Sequence, residues 1–467
     1  MPAQTIVRVL FTTICVVAAY SSAAAQIWQA DPEVKAALRR EKVEKLIVPA
    51  LKETGINVWL VFDRDADDES VNTVWDEHRK VRLEPLSEHL GTELIYQPVA
   101  LLFTDSGERI AIVSTSDRDY LATSGLYTKI LTYEYTKRKG FDDILPLIRD
   151  EVRRLNPARI GLNWSELEPM ADGLSVGMYK LLERTLGPEL SQRFTSAEDV
   201  SVSLLGRNTA QEVAYLQQSA EISLQLMQEA MRTIRPGVTT ERDIFNYIRF
   251  RMKQLGVEPG WSEFRSPIVT VQGPRSGRAP GDEKVLPGRL VKINGGVRVK
   301  GFAVDLNMNA YVLREGETSP PPVLQQMWDT MVRATADTIK AIKPGVVCRD
   351  VDALARKLVR EAGYDEWGYE VGHSVGTWIH GIGPTLAPDW SHFGRKPGMK
   401  IQVNDAYAVE PAVERLVPEL GTNVRVHVQE MVVVTPTGAR YMVPPQTELL
   451  LIRADGTTVN RGGKTEP

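Results

Sequence analysis

Cysteine is nearly absent from this chain: among 467 residues there are two, Cys15 and Cys348. Cys15 sits in a leader-like N-terminal run, so the mature chain keeps one thiol and an intramolecular disulfide is excluded. Long apolar runs are equally scarce. The first 25 residues hold Arg8, the run "VLFTTICVVAAY" and the small residues that open "SSAAAQ". That run is about a dozen residues, too short for a membrane span. The pattern predicts a secretory signal cleaved after about Ala25, an exported periplasmic or secreted product, and no membrane association afterwards. Charge of one sign is also lacking. The formal net charge is −4 and no block of like charge interrupts the chain, which argues against a nucleic-acid partner and against a basic tail or acidic arm. What remains, 43% hydrophobic and 25% charged, is ordinary globular composition, enough for two or three cored domains.

From Glu41 to Val200 helix-like and strand-like segments alternate: the amphipathic "REKVEKLIVPALKETG", the buried-strand run "NVWLVF", the hairpin-like "VALLFTDSGERIAIVS", the helix "FDDILPLIRDEVRRL" and the strand "ARIGLN". This predicts an α/β domain with helices packed on a sheet. His78 and His89 lie there in polar surroundings, and no chemical role is expected of either. The acidic "DRDADDES" lacks the glycine turn and final glutamate of a calcium loop and reads as solvated.

A second region opens near Arg207 with a long amphipathic helix, and it contains a repeat. "TIRPGVTTERDIFNYIRFRMKQLG" from Thr233 matches "AIKPGVVCRDVDALARKLVREAG" from Ala341, each a helix end, a Pro-Gly turn and a second helix closed by glycine. Strand-rich stretches follow both copies. Two similar halves predict a pseudo-twofold with a site where their strands meet. One such stretch, "LVKINGGVRVKGFAVDLNMNAY" (Leu290 to Tyr311), reads as two strands joined by a glycine-containing turn that bring Asn294 and Asp305 toward one point.

Four further segments fall in order around that hairpin: "RSGRAPGDEKVLPG", "VGHSVGTWIHGIGP", "YAVEPAV" and "NVRVHVQEMVVVT". Together they resemble the methionine aminopeptidase, Xaa-Pro dipeptidase and creatinase family, whose catalytic domain is the pita-bread fold. The resemblance covers about Arg207 to Arg453. It implies an α/β (α+β) protein in three parts: a signal peptide at 1–25, an N-terminal α/β creatinase-like domain at 26–205, and a duplicated pita-bread domain at 206–467.

The family's metallopeptidases hold two divalent metals with two aspartates, a histidine, a glutamate before proline and a bridging glutamate. Carried over, these positions are Asn294, Asp305, His373, Glu410 and Gln429. Two of the five are amides. Counting back from Thr435 gives Gln429 as the last; Glu430 beside it would face the pocket only if the strand slipped or bulged. Four carboxylates cancel two divalent cations, so two isosteric amides keep the shape of the pocket and remove two charges, which implies one divalent ion (Mn, Zn, Co or Fe) or none. Asp305, His373 and Glu410, with the Gln429 carbonyl, suffice for an open one-metal site. Arg278 stands where family peptidases carry a substrate-contacting histidine; it clamps a carboxylate but moves no proton near neutral pH. Of the family's proton-handling histidines His380 remains.

His427 either enters the pocket or alternates along its strand, Arg425 either acts there or forms a structural ion pair, and Trp261, Trp378 and Trp390 read first as packing residues. The function implied is an exported hydrolase acting on a C–N bond of a small peptide or amino-acid-like substrate. The competing reading is a catalytically silent pseudopeptidase that binds a peptide or small acidic ligand in the same pocket. A homodimer is compatible with the resemblance.

Overall fold

The computed structural model describes residues 32–63, 86–92, 95, 97–136, 139–271 and 280–459. The leader, the acidic loop after Asp63, His78 and Arg278 therefore lie outside the described residues. No helix among the described residues is long and apolar enough to cross a membrane.

The first sheet has six strands: β1 (Val58–Asp63), β2 (Val99–Thr104), β3 (Arg109–Ser114), β4 (Lys129–Tyr133), β5 (Ile160–Leu162) and β6 (Phe194–Ser196). Their order is β4-β3-β2-β1-β5-β6, with β2 antiparallel to both neighbours and the outer pairs parallel. Every residue of β1 is buried, because helices cover both faces. Trp59 and Val61 pack with Leu51 of helix Pro32–Thr54 and Leu204 of helix Glu198–Gly206. Leu60 and Phe62 pack with Ile148 and Leu182 of helices Ile144–Leu155 and Val176–Leu186.

The repeat is visible in the backbone beyond this sheet. Helix pair Ala210–Arg232 and Glu241–Leu255 recurs as Pro322–Ala341 and Cys348–Glu361. Gly237 and Gly345 turn the two linkers at φ 81° and 88°, a conformation that favours glycine. Each donates its N–H to an equivalent carbonyl, Val285 in one half and Ile401 in the other. Thr240 caps its helix through a reciprocal box with Asp243. Cys348, its counterpart, forms no cap; it is buried with Sγ 3.9 Å from the Tyr407 hydroxyl.

Between the helix pairs lie the strands β7 (Glu258–Pro259), β8 (Ile268–Val271), β9 (Leu290–Gly295), β10 (Val297–Val299), β11 (Phe302–Ala303) and β12 (Leu306–Val312) of the first half. The second half supplies β13 (Gly372–Ser374), β14 (Ala406–Val409), β15 (Ala412–Val417), β16 (Thr422–His427), β17 (Glu430–Thr435), β18 (Gly438–Tyr441), β19 (Leu450–Ile452) and β20 (Thr458–Val459). The main sheets run β20-β19-β12-β9-β8 and β13-β14-β17-β18. Alternation along β14 sends Ala406 and Ala408 into the core of the first helix pair, and Tyr407 and Val409 into that of the second. The strand layer is thus filled on both sides.

Two contacts fix the N-terminal part against this layer. Arg207, at the end of helix Glu198–Gly206, donates to Asp405 Oδ2 at 2.9 Å, both side chains 3% exposed. Gly206 lies so close to Gly383 that a Cβ on it would stand 2.0 Å from the Gly383 Cα.

His89, in the short helix Ser87–Leu90, meets Trp378 with ring centroids 6.3 Å apart. Burial first, then Lys42, Arg39 and Lys35, push its imidazole down to about 3. A base lowered in the folded state stays neutral while the unfolded chain takes up a proton below about 6.5, so stability falls as pH drops through that value. Between pH 7 and pH 5, His89→Leu should lose about 1 kcal/mol less stability than the parent, the ring being half-buried. Urea titrations at both pH values test this; parallel losses would refute it.

Candidate metal centre

The hairpin sets the first two residues. A Cβ at Gly296 would stand 2.0 Å from the Val304 carbonyl oxygen, so only glycine lets the strands approach this closely. That approach brings Asn294 Nδ2 to 3.0 Å from Asp305 Oδ1. The same amide donates to Gln429 Oε1 at 2.6 Å. Its orientation is fixed by its partners, since turning it over would set its oxygen against two acceptors. Gln429 sits in the break between β16 and β17, where Glu430 faces away and accepts from the Gln446 N–H at 3.0 Å. Burial pushes the Glu430 carboxyl up to about 8.

The second half delivers the histidines. His373 lies on β13, its Nδ1 3.2 Å from the Ser374 carbonyl. A carbonyl only accepts, so Nδ1 carries the proton and Nε2 offers a lone pair. Among the described residues that Nε2 is buried without a hydrogen-bond partner. It lies 3.8 Å from Asp305 Oδ2 and 3.6 Å from Glu410 Oε1, while the exposed His380 brings its own Nε2 to 3.8 Å from Asp305 Oδ2. Burial first, and then His380, push the His373 imidazole down to about 4, with Asp305 opposing.

Separations of 3.6 to 3.8 Å are too long for direct hydrogen bonds. They suit donors sharing one cation with bonds of about 2.0–2.2 Å. Asp305, His373 and His380 keep their donor atoms within 4.8 Å of one another, a nitrogen and oxygen set suited to Zn, Mn, Fe or Co. Between Asp305 Oδ1 and Gln429 Oε1 stands the Asn294 N–H₂ group, a donor where the carried-over ligand set has an anionic oxygen.

Around Glu410 lies a layer that the sequence leaves largely unmarked. His427 Nε2 is 3.3 Å from Glu410 Oε2, so His427 enters the site. Lys292 Nζ is 3.4 Å from His427 Nδ1; it stands two residues before Asn294 on β9 and therefore on the same face. Burial and then Arg425 push the Lys292 ammonium down to about 8, against Glu410 and Asp305. Arg425 donates to the Tyr369 hydroxyl at 2.7 Å and lies over that ring. Burial, then Asp305 and Glu370, hold the Glu410 carboxyl well above the usual carboxylate range, with Lys292 and Arg425 opposing. Burial, then Lys292 and Arg425, hold His427 well below the usual imidazole range. Trp390 lies apart, stacked under Arg356, while Trp261 touches the hairpin near Gly295.

Residues 214–436 match metallopeptidase family M24. The chain carries an M24 domain. An Xaa-Pro dipeptidase of Pyrococcus furiosus is 24% identical over 339 residues, 70% of this chain and 86% of that protein. An uncharacterised peptidase of Bacillus subtilis is 26% identical over 351 residues, 74% and 88% of the two chains. Among solved structures, the dipeptidase PepE of Mycobacterium ulcerans superposes with a TM-score of 0.58 at 18% identity, covering 90% of this chain and 99% of that one. An Xaa-Pro dipeptidase of Bacillus anthracis gives 0.56 at 19%, covering 89% and 100%. Both cover the first sheet as well as the M24 domain, so the α/β part and the pita-bread layer form one shared architecture.

Proposed function

We propose that this M24 protein is an exported hydrolase that cleaves a short peptide, of the Xaa-Pro type named for its relatives, with one divalent ion per chain. The observation that carries this is the cluster of Asp305, His373 and His380, whose donor atoms lie within 4.8 Å while His373 Nε2 has no hydrogen-bond partner. Glu410 Oε1 is the fourth donor beside them. When bound, the ion would polarise the scissile carbonyl and acidify a water.

The chain's own groups do the rest. His427 Nε2, 3.3 Å from Glu410 Oε2, orients the carboxylate whose other oxygen faces the ion. Lys292 and Arg425 set positive charge on the same side, which suits the carboxylate end of a dipeptide. A silent binding role is favoured by one observation, the Asn294 amide that ties Asp305 to Gln429 without any ion.

The two readings part on one experiment with the mature protein. After loading with Mn²⁺ or Zn²⁺ and desalting, elemental analysis should give one equivalent per chain, and Xaa-Pro dipeptides should be hydrolysed only in that state. Retention of the metal without turnover of any dipeptide would favour the binding protein, and two equivalents would overturn the one-metal site.

A further inference from the structure

A second cavity, of about 270 Å³, opens between the N-terminal part and the tip of the hairpin. Helix Pro32–Thr54 lines it with Lys35, Arg39 and Lys42, which recur at helical spacing on one face. The hairpin tip opposes them with Arg298 and Lys300. The tip is a tight turn with φ 50° at Lys300 and 91° at Gly301, the paired positive values of a type I′ hairpin. Arg298 is held there by the Gly301 and Thr377 carbonyls at 2.5 Å and the Gly260 carbonyl at 2.7 Å.

Among the described residues one acid lines this cavity, Glu212. It already caps its helix through Thr209 and lies 3.2 Å from Lys42 Nζ. Leu38, Phe302 and Trp378 add an apolar surface, beside His89 and Thr377. We infer that the cavity binds a small organic anion, a carboxylate or phosphate head on a short apolar body. Five cations and an aromatic and aliphatic surface share its lining, and the volume is just under that of drug-sized sites, which suits a small ligand. His89 reports the local field, since three of these cations help hold its ring neutral. The site is distinct from the metal centre but joined to it, because Trp378 stands two residues before His380 in the same loop.

Calorimetric titration of the mature protein tests the inference with phenyl phosphate, inorganic phosphate and benzyl alcohol. Phenyl phosphate should bind, at least tenfold more tightly than either of the others, and more weakly as salt rises. Lys35→Glu with Lys300→Asp, both at exposed positions, should weaken it at least tenfold without changing the melting temperature. Equal binding of benzyl alcohol would overturn the anionic half, and equal binding of inorganic phosphate the apolar half. Loss of binding in Lys292→Met, with unchanged binding in the double reversal, would put the anion at the metal centre and overturn the site. So would a failure of phenyl phosphate to bind at all.

Discussion

Asn294→Asp combined with Gln429→Glu is expected to raise the tightly held metal from one equivalent toward two and to make folding depend on it. In the parent, the Asn294 amide donates at 3.0 Å to Asp305 and at 2.6 Å to Gln429. The double variant replaces donor and acceptor alike with carboxylates, so three acids face one another with no hydrogen between them. Two unit charges ~3 Å apart at an effective dielectric near 20 repel by about 5 kcal/mol before they protonate or separate. The metal-free variant should therefore lose about 2–4 kcal/mol relative to the parent. Saturating Mn²⁺ or Zn²⁺ should restore it, since a thousandfold excess over Kd contributes about 4 kcal/mol. Thermal melts with metal and with chelator, read beside elemental analysis, decide the matter. A double variant that melts like the parent in chelator and still holds one equivalent would sink the idea. Adding Arg278→His should raise dipeptide hydrolysis above that of the one-ion parent, acid or base help typically being worth ~10²–10⁴-fold.

The largest single loss of stability is expected at Asp405→Ala. Asp405 accepts from Arg207 at 2.9 Å, from the Gln402 N–H at 2.8 Å and from the Tyr407 hydroxyl at 3.2 Å. Removing it leaves a guanidinium that is 3% exposed facing no carboxylate at that distance, which costs about 3–5 kcal/mol. The pair itself need not be stabilising. Arg207→Met with Asp405→Leu should recover most of the loss, because desolvating two charges offsets much of their attraction. The exposed pair Arg242 and Asp282, at 52% and 78%, is the control, and Asp282→Ala should leave the urea midpoint nearly unchanged. Urea unfolding of the three variants beside the parent tests the set. A loss at Asp405→Ala no larger than at Asp282→Ala would show that water reaches Arg207.

Much of the fold is legible because its signals are local. The run "NVWLVF" is buried from Val58 onward, and the paired Pro-Gly turns announce the duplicated helix pairs before any contact is known. Asn294 and Asp305 are likewise readable, since one hairpin fixes their approach. Gln429 and Glu430 are not separable by alternation alone, because the strand breaks at Val428 and Gln429. Lys292 escapes notice for a different reason. A lysine in a strand normally reads as solvated, and what buries this one is His427, Arg425 and Glu410, more than a hundred residues away. The short strands β4 and β6 and helix Val176–Leu186 carry too little pattern to be read without the sheet they complete.

The contact between Gly206 and Gly383 has a mechanical consequence. Backbone meets backbone there, with no compressible side chain between, and Gly383 lies three residues after His380. A rotation of the first sheet would therefore press backbone directly against the loop that carries His380, and a side chain added on one side of this contact requires a backbone shift on the other.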